Sequence, residues 1–306
     1  MKTDVYVVSG FLGAGKTTFI KRLLEHGFNG KKVALIENDF GEISVDASLL
    51  KGAGIEIKEM NAGCICCSLT GDFLASLKEL LKDYEPEVLL IEPSGVGKLS
   101  DIIKVLEDES LEDALTIKSK ITIVDVKRAP MYLDNFGEFF EDQVHHADVI
   151  LLSRVEKHPE SLTDAIDAIN ECKPTGVIKN HNWEELNLEE VLDPKSKTHH
   201  HHHEGCDCGC HDHHHHHADD VFTTFTFPLE RVISEDALTG FLESLSGFSG
   251  ELLRMKGVVQ TESGPREIQY LPEEQRVTPI ESDENILVFI GRDIQREEIK
   301  KALEEL

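Results

Sequence analysis

Residues Val5 to Phe19, VYVVSGFLGAGKTTF, constrain this chain more than any other stretch. Val5 to Ser9 reads as a buried apolar strand, and Gly10-Phe11-Leu12-Gly13-Ala14-Gly15-Lys16-Thr17 fills every position of the pattern G-x-x-x-x-G-K-[ST]. A helical run, Lys16 to Glu25, follows at once. The glycines let successive backbone N–H groups face inward as an anion cradle, and a helix start behind them adds its positive dipole end. The stretch therefore predicts a nucleotide-phosphate loop contacted by Gly10, Gly13, Ala14, Gly15, Lys16, Thr17 and Thr18. Lys16 would reach the β- and γ-phosphates, and the Thr17 hydroxyl would hold Mg²⁺.

Downstream, short apolar runs alternate with helical ones. Strands are expected at Lys32 to Ile36, Ile55 to Met60, Val88 to Ile91, Lys120 to Asp125, Asp148 to Ser153 and Gly176 to Lys179, with a helix at Asp72 to Leu81. Such alternation implies an α/β fold with a mostly parallel sheet covered on both faces. The Val88 run ends in Glu92-Pro93-Ser94-Gly95, which places a carboxylate where Mg²⁺ and water are managed and a glycine where backbone can approach a γ-phosphate. Lys16 and Glu92 are thus the candidate catalytic pair, with Thr17 and Glu92 toward magnesium. Ser153-Arg154-Val155-Glu156 stands where guanine-binding proteins carry Asn/Thr-Lys-x-Asp, so Ser153, Arg154 and Glu156 are candidate base contacts. Arg for Lys is not neutral at a stacked site, and Glu for Asp alters reach; guanine and adenine both stay open.

Cysteine placement adds a second chemistry. Cys64, Cys66 and Cys67 fall within four residues, a spacing core packing does not explain, and thiolates this close can share one soft metal ion with a ligand from elsewhere. Glu37, Asp39 and Glu42, in the acidic run Glu37-Asn38-Asp39-Phe40-Gly41-Glu42 at a strand end, are the candidates. That run is also the natural position of a switch segment. Three further cysteines, Cys206, Cys208 and Cys210, sit among His199, His200, His201, His202, His203, His211, His213, His214, His215, His216 and His217. This internal segment, split by Cys and Asp, is unlike a terminal purification tag and reads as a disordered metal-collecting linker for Zn²⁺, Ni²⁺, Cu or Co²⁺.

The domain plan is 1–194 for the phosphate-loop domain, 195–220 for the linker and 221–306 for a small α/β domain. In the last, strands are expected at Phe222 to Phe227, Leu252 to Gln260, Arg266 to Leu271 and Asn285 to Ile290, with helices at Glu235 to Leu245 and from Gln295. Two helices would cover one face of its sheet. Arg254, Lys256 and Arg292 read as solvated or ion-paired rather than as ligands. With 58 Asp and Glu against 31 Lys and Arg, a formal charge of -27, the average field repels a nucleic-acid backbone. No apolar run approaches membrane length and no leader pattern precedes the first strand, so a cytoplasmic protein is expected.

Taken in order, Gly10 to Thr17, the Glu37 to Glu42 run, Gly63-Cys64-Ile65-Cys66-Cys67 and Glu92-Pro93-Ser94-Gly95 make the chain resemble the CobW-type metallochaperone GTPases, in the same broad group as the nickel-insertion GTPases of urease and hydrogenase. The His-rich linker and a CobW C-terminal-like domain containing Leu253-Arg254-Met255-Lys256-Gly257 belong to the same likeness. The resemblance implies a GTPase, cycling between GTP and GDP with Mg²⁺, that binds Zn²⁺ (or Co²⁺ or Ni²⁺) and delivers it to a client metalloprotein. It maps the metal ligands to Cys66, Cys67 and Glu37, with Cys64 as a further candidate. A homodimer is compatible with it. Two rival roles are a metal store built on the linker and an accessory protein for cobalamin or nitrile hydratase. Arg154, Glu156 and Pro93 depart from the family pattern.

Overall fold

The computed structural model describes residues 2–28, 30–37, 57–61, 70–180, 182–194, 221–272 and 274–306. These form two compact units, each built on its own sheet.

The first sheet has seven strands in the order β3-β2-β4-β1-β5-β6-β7, all parallel. They are β1 (Thr3–Gly10), β2 (Val33–Glu37), β3 (Ile57–Asn61), β4 (Val88–Glu92), β5 (Leu115–Asp125), β6 (Val149–Ser153) and β7 (Val177–Lys179). The helices between them are α1 (Lys16–Arg22), α2 (Thr70–Tyr84), α3 (Leu99–Leu106), α4 (Ala129–His145), α5 (Leu162–Glu171) and α6 (Leu188–Leu192). Runs such as Val5 to Val8, Val33 to Ile36 and Val88 to Ile91 are buried on both sides, which is why they carry no polar alternation. On one face Val5, Val7, Ala34, Ile36, Leu89 and Ile91 meet Phe73 and Leu77 of α2 and Leu99 and Ile102 of α3. On the other, the Tyr6 ring meets Phe28 at 5.1 Å, and Ser119 Oγ donates to the Val191 carbonyl of α6 at 2.7 Å. The sheet is covered on both faces, as expected.

The topology fixes where a ligand can bind. Successive connections carry the chain outward from β1 through β2 to β3, back to β4, and then across β1 to β5, β6 and β7. Parallel sheets bind ligands at the carboxyl edge where the winding reverses, and here that point is the end of β1.

The second sheet has five strands, β11-β10-β9-β12-β8, all antiparallel. They are β8 (Thr223–Pro228), β9 (Glu251–Thr261), β10 (Gly264–Leu271), β11 (Glu274–Pro279) and β12 (Ile286–Arg292). Leu238, Phe241 and Leu242 of α7 (Glu235–Ser244) and Ile299 and Leu303 of α8 (Arg296–Glu304) enter one core with Met255, Val259, Ile268, Leu287 and Phe289. Both helices therefore cover one face, as the sequence implied. Strand β11 was not foreseen. Its residues, EQRVTP, are largely exposed on a sheet edge and carry no apolar alternation; backbone pairing with β10 holds it, with Thr278 Oγ1 donating to Glu267 at 3.3 Å. Arg292 pairs with Glu251 at 3.4 Å, whereas Lys256 is buried rather than solvated.

One cysteine outside both clusters, Cys172, is buried after α5. Burial first, then the charges of Glu141 and Glu171, push its thiol up to about 12. It stays protonated at neutral pH and is unsuited to hold a metal ion. No helix among the described residues is long and apolar enough to cross a membrane.

Candidate functional site

The end of β1 leads into the phosphate loop. Gly10 has φ 141° and lies so close to β5 that a Cβ there would sit 2.4 Å from the Ile123 carbonyl oxygen. Only glycine lets the strand end here. Gly15, at φ 106°, starts α1 without a side-chain cap, which leaves the first helical N–H groups available to an anion.

Lys16 is buried at 6% exposure, with Nζ 3.9 Å from Glu92 Oε1 and donating to the Phe11 carbonyl at 3.4 Å. Its charge is therefore held at the mouth of the loop instead of in bulk water. Gly95 lies beside it: a Cβ built there would be 3.0 Å from Lys16 Nζ and 3.0 Å from Leu12 N. Thr17 is half-buried on the first turn of α1 and Thr18 is exposed.

Register supplies a neighbour for Glu92. Glu37 is its direct partner on the adjacent parallel strand β2, and Glu37 is buried at 6% exposure. Two carboxylates thus end neighbouring strands, about 4.8 Å apart in strand spacing, on the side of β1 where Lys16 points. Oxygen donors of the Glu92 and Thr17 kind are chemically suited to Mg²⁺.

On the other side of β1, Ser153 ends β6 opposite Asp125 of β5. Arg154 follows in a left-handed conformation, φ 61°, which costs a non-glycine residue about 1 kcal/mol or more. Its guanidinium is held by Asp125 Oδ2 at 3.3 Å and by the Gly13 carbonyl at 3.3 Å. Arg128 also binds Asp125, at 2.7 Å. Arg154 thus ties the β6 end to the phosphate loop. Glu156, two residues on, is exposed.

Helix α4 contributes two contacts that sequence reading missed. Tyr132 donates its hydroxyl to the Leu12 carbonyl at 2.9 Å while its ring packs on Phe11 at 4.2 Å. Gln143, fully buried, donates Nε2 to the carbonyls of Gly97 at 2.7 Å and Gly95 at 3.3 Å. One helix therefore braces both the phosphate loop and the loop after Glu92. A third unforeseen residue, Trp183, follows β7. Its indole would lie 3.2 Å from a Cβ on Gly15, and its Nε1 donates to the Leu152 carbonyl at 3.0 Å. Nothing local in the sequence marks these three residues, because each acts on a loop far away along the chain.

Cys64, Cys66 and Cys67 lie outside the described residues, as do Asp39, Glu42 and the linker residues His199 to His203, Cys206, Cys208, Cys210, His211 and His213 to His217. Among the described residues no group of three or more His, Cys, Asp or Glu side chains is arranged to hold a metal ion.

Residues 4–178 match the model of the CobW/HypB/UreG nucleotide-binding domain, and 222–306 that of the cobalamin synthesis protein cobW C-terminal domain. The chain belongs to the CobW family. Its phosphate loop is that of a family nucleotide-binding domain, and the second unit carries the family's C-terminal domain. Among curated relatives, a zinc chaperone CobW of Sinorhizobium sp is 34% identical, over 55% of this chain and 52% of its own length. The zinc chaperone YeiR of Escherichia coli (strain K12) is 34% identical, over 52% of this chain and 49% of its own. In both cases the match spans about half of the relative. The zinc chaperone YjiA of the same organism is 29% identical over 97% of this chain and 96% of its own length.

Proposed function

We propose that this CobW-family chain is a GTP-hydrolysing metal chaperone. It binds Zn²⁺, or a similar ion such as Co²⁺ or Ni²⁺, through Glu37 with Cys64, Cys66 and Cys67, and passes it to a client metalloprotein in the cytoplasm under nucleotide control. The observation that carries this reading is the register that sets Glu37 beside Glu92, which in turn faces Lys16 at 3.9 Å. A cargo ligand and a phosphate-site carboxylate on neighbouring strand ends give the two sites a short mechanical path. The names of the relatives, zinc chaperones, support the choice of cargo.

In this reading Lys16 balances phosphate charge, and Thr17 and Glu92 would hold Mg²⁺, which neutralises charge on the β- and γ-phosphates when bound. The Gly95 amide meets the γ-phosphate and Gln143 holds the Gly95 loop in place. Loss of the γ-phosphate frees that loop, the strand ends of β4 and β2 relax, and Glu37 loosens its hold on the cargo. By linkage, nucleotide that tightens metal binding is itself bound more tightly when metal is present. The 1–194, 195–220 and 221–306 division is part of the proposal, with the linker concentrating metal near the first domain.

A store built on the linker is the rival reading, favoured by the eleven histidines between 199 and 217. Deleting 199–217 separates the two. The chaperone reading expects one tight Zn²⁺ site to survive, measured by competition with a chromophoric chelator; a store would lose most bound metal and keep no tight site.

A further inference from the structure

We infer that Trp183 forms the wall against which the nucleotide base packs, taking the place of a lysine stem in the segment after β6. The inference rests on the nucleotide reading above and adds the residue that holds the base.

The direction of the bound nucleotide follows from the phosphate loop. Lys16, Glu92 and Gly95 mark the β4 side of β1 as the γ-phosphate end. The sugar and base must run the opposite way, over the carboxyl ends of β5, β6 and β7. Two segments stand there, Ser153 to Glu156 after β6 and the residues after β7 that carry Trp183.

In the first segment the planar guanidinium is already engaged. Arg154 is turned to Asp125 and the Gly13 carbonyl, and Glu156 is exposed. Trp183 offers the base a flat surface. Its indole reaches the backbone of Gly15, its ring meets Phe19 edge-on at 5.4 Å, and its Nε1 is fixed on Leu152, directly before Ser153. The ring is half-buried, so one side is committed to α1 while part stays open. A rigid aromatic plate, oriented by a backbone hydrogen bond beside the α-phosphate end of the loop, is suited to stack a purine. Base–aromatic stacking of this kind tolerates either purine, since each has a π-face. Arg154 and Trp183 thus divide the work of one lysine: Arg154 ties down the loop, and Trp183 covers the base.

Trp183 is the chain's single tryptophan, so its fluorescence reads the site directly. The test titrates the full chain with GDP, ATP and inorganic tripolyphosphate, following intrinsic fluorescence and, in parallel, calorimetric binding. Saturable fluorescence change is expected with GDP, and a much smaller one with tripolyphosphate. Trp183→Ala should weaken GDP at least about tenfold, in line with loss of one stacked base, while tripolyphosphate affinity holds within about twofold. Trp183→Phe should recover most of the GDP affinity. If GDP binds by calorimetry without altering the fluorescence, or if Trp183→Ala weakens tripolyphosphate as much as GDP, the indole only props the phosphate loop and the inference falls. If neither GDP nor ATP binds the wild-type chain, the nucleotide reading falls with it.

Discussion

Lys16→Ala is expected to lower GTP turnover by about 10²–10³-fold, the usual loss when one charge aimed at developing phosphate charge is removed. Two features make the effect large. The ammonium is buried at 6% exposure, where a charge interacts more strongly than in water, and it is held 3.9 Å from Glu92, so it is placed before the nucleotide arrives. Lys16→Arg keeps the charge but not the shape, and a planar fork in a space formed by Phe11, Leu12 and Gly95 should restore little. Steady-state phosphate release, with thermal unfolding as a control for folding, checks both variants. Unchanged hydrolysis in Lys16→Ala would remove the phosphate-loop account altogether.

Gly95→Ala should separate binding from chemistry. The new methyl would lie 2.8 Å from Leu12 Cδ2 and 3.0 Å from Leu12 N. The side chain of Leu12 can turn away, but its backbone amide belongs to the phosphate loop and cannot. The Gly95 loop must therefore retreat, although Gln143 still grips the carbonyls of Gly95 and Gly97. A misplacement of about 1 Å costs about 10²-fold in turnover, so a smaller retreat at a γ-phosphate contact should cost about tenfold or more. GDP has no γ-phosphate, so its affinity should stay within about threefold. Calorimetry with GDP beside single-turnover hydrolysis of GTP gives the comparison, and equal losses in both would show that Gly95 serves the fold alone.

What the sequence disclosed, and what it withheld, follows from the range of the interactions. Strand β1, the loop and α1 were readable because glycine geometry, the Lys16 position and the apolar run are all local. Glu92 and Gly95 were readable for the same reason, at the end of an apolar strand. The direct pairing of Glu37 with Glu92 was not, since register between β2 and β4 depends on how two distant segments dock. Tyr132, Gln143 and Trp183 show the same limit in side chains: each reaches a loop whose position only the folded sheet defines. Arg154 was legible as a departure from a lysine pattern, but its attachment to Asp125 was not, because an aspartate ending a strand carries no mark of its partner. The polar edge strand β11 escaped for the opposite reason, having almost no apolar signal to read.

Central to the proposed function is that nucleotide state sets metal affinity at Glu37, Cys64, Cys66 and Cys67. Its most direct test is the Zn²⁺ and Co²⁺ affinity of protein lacking 199–217, measured by chelator competition with Mg²⁺ and either GDP or a non-hydrolysable GTP analogue. The account predicts affinity at least about tenfold tighter with the GTP analogue, a coupling of about 1.4 kcal/mol or more. Equal affinity in the two nucleotide states would contradict it, leaving a metal site and a nucleotide site that share a sheet edge without communicating.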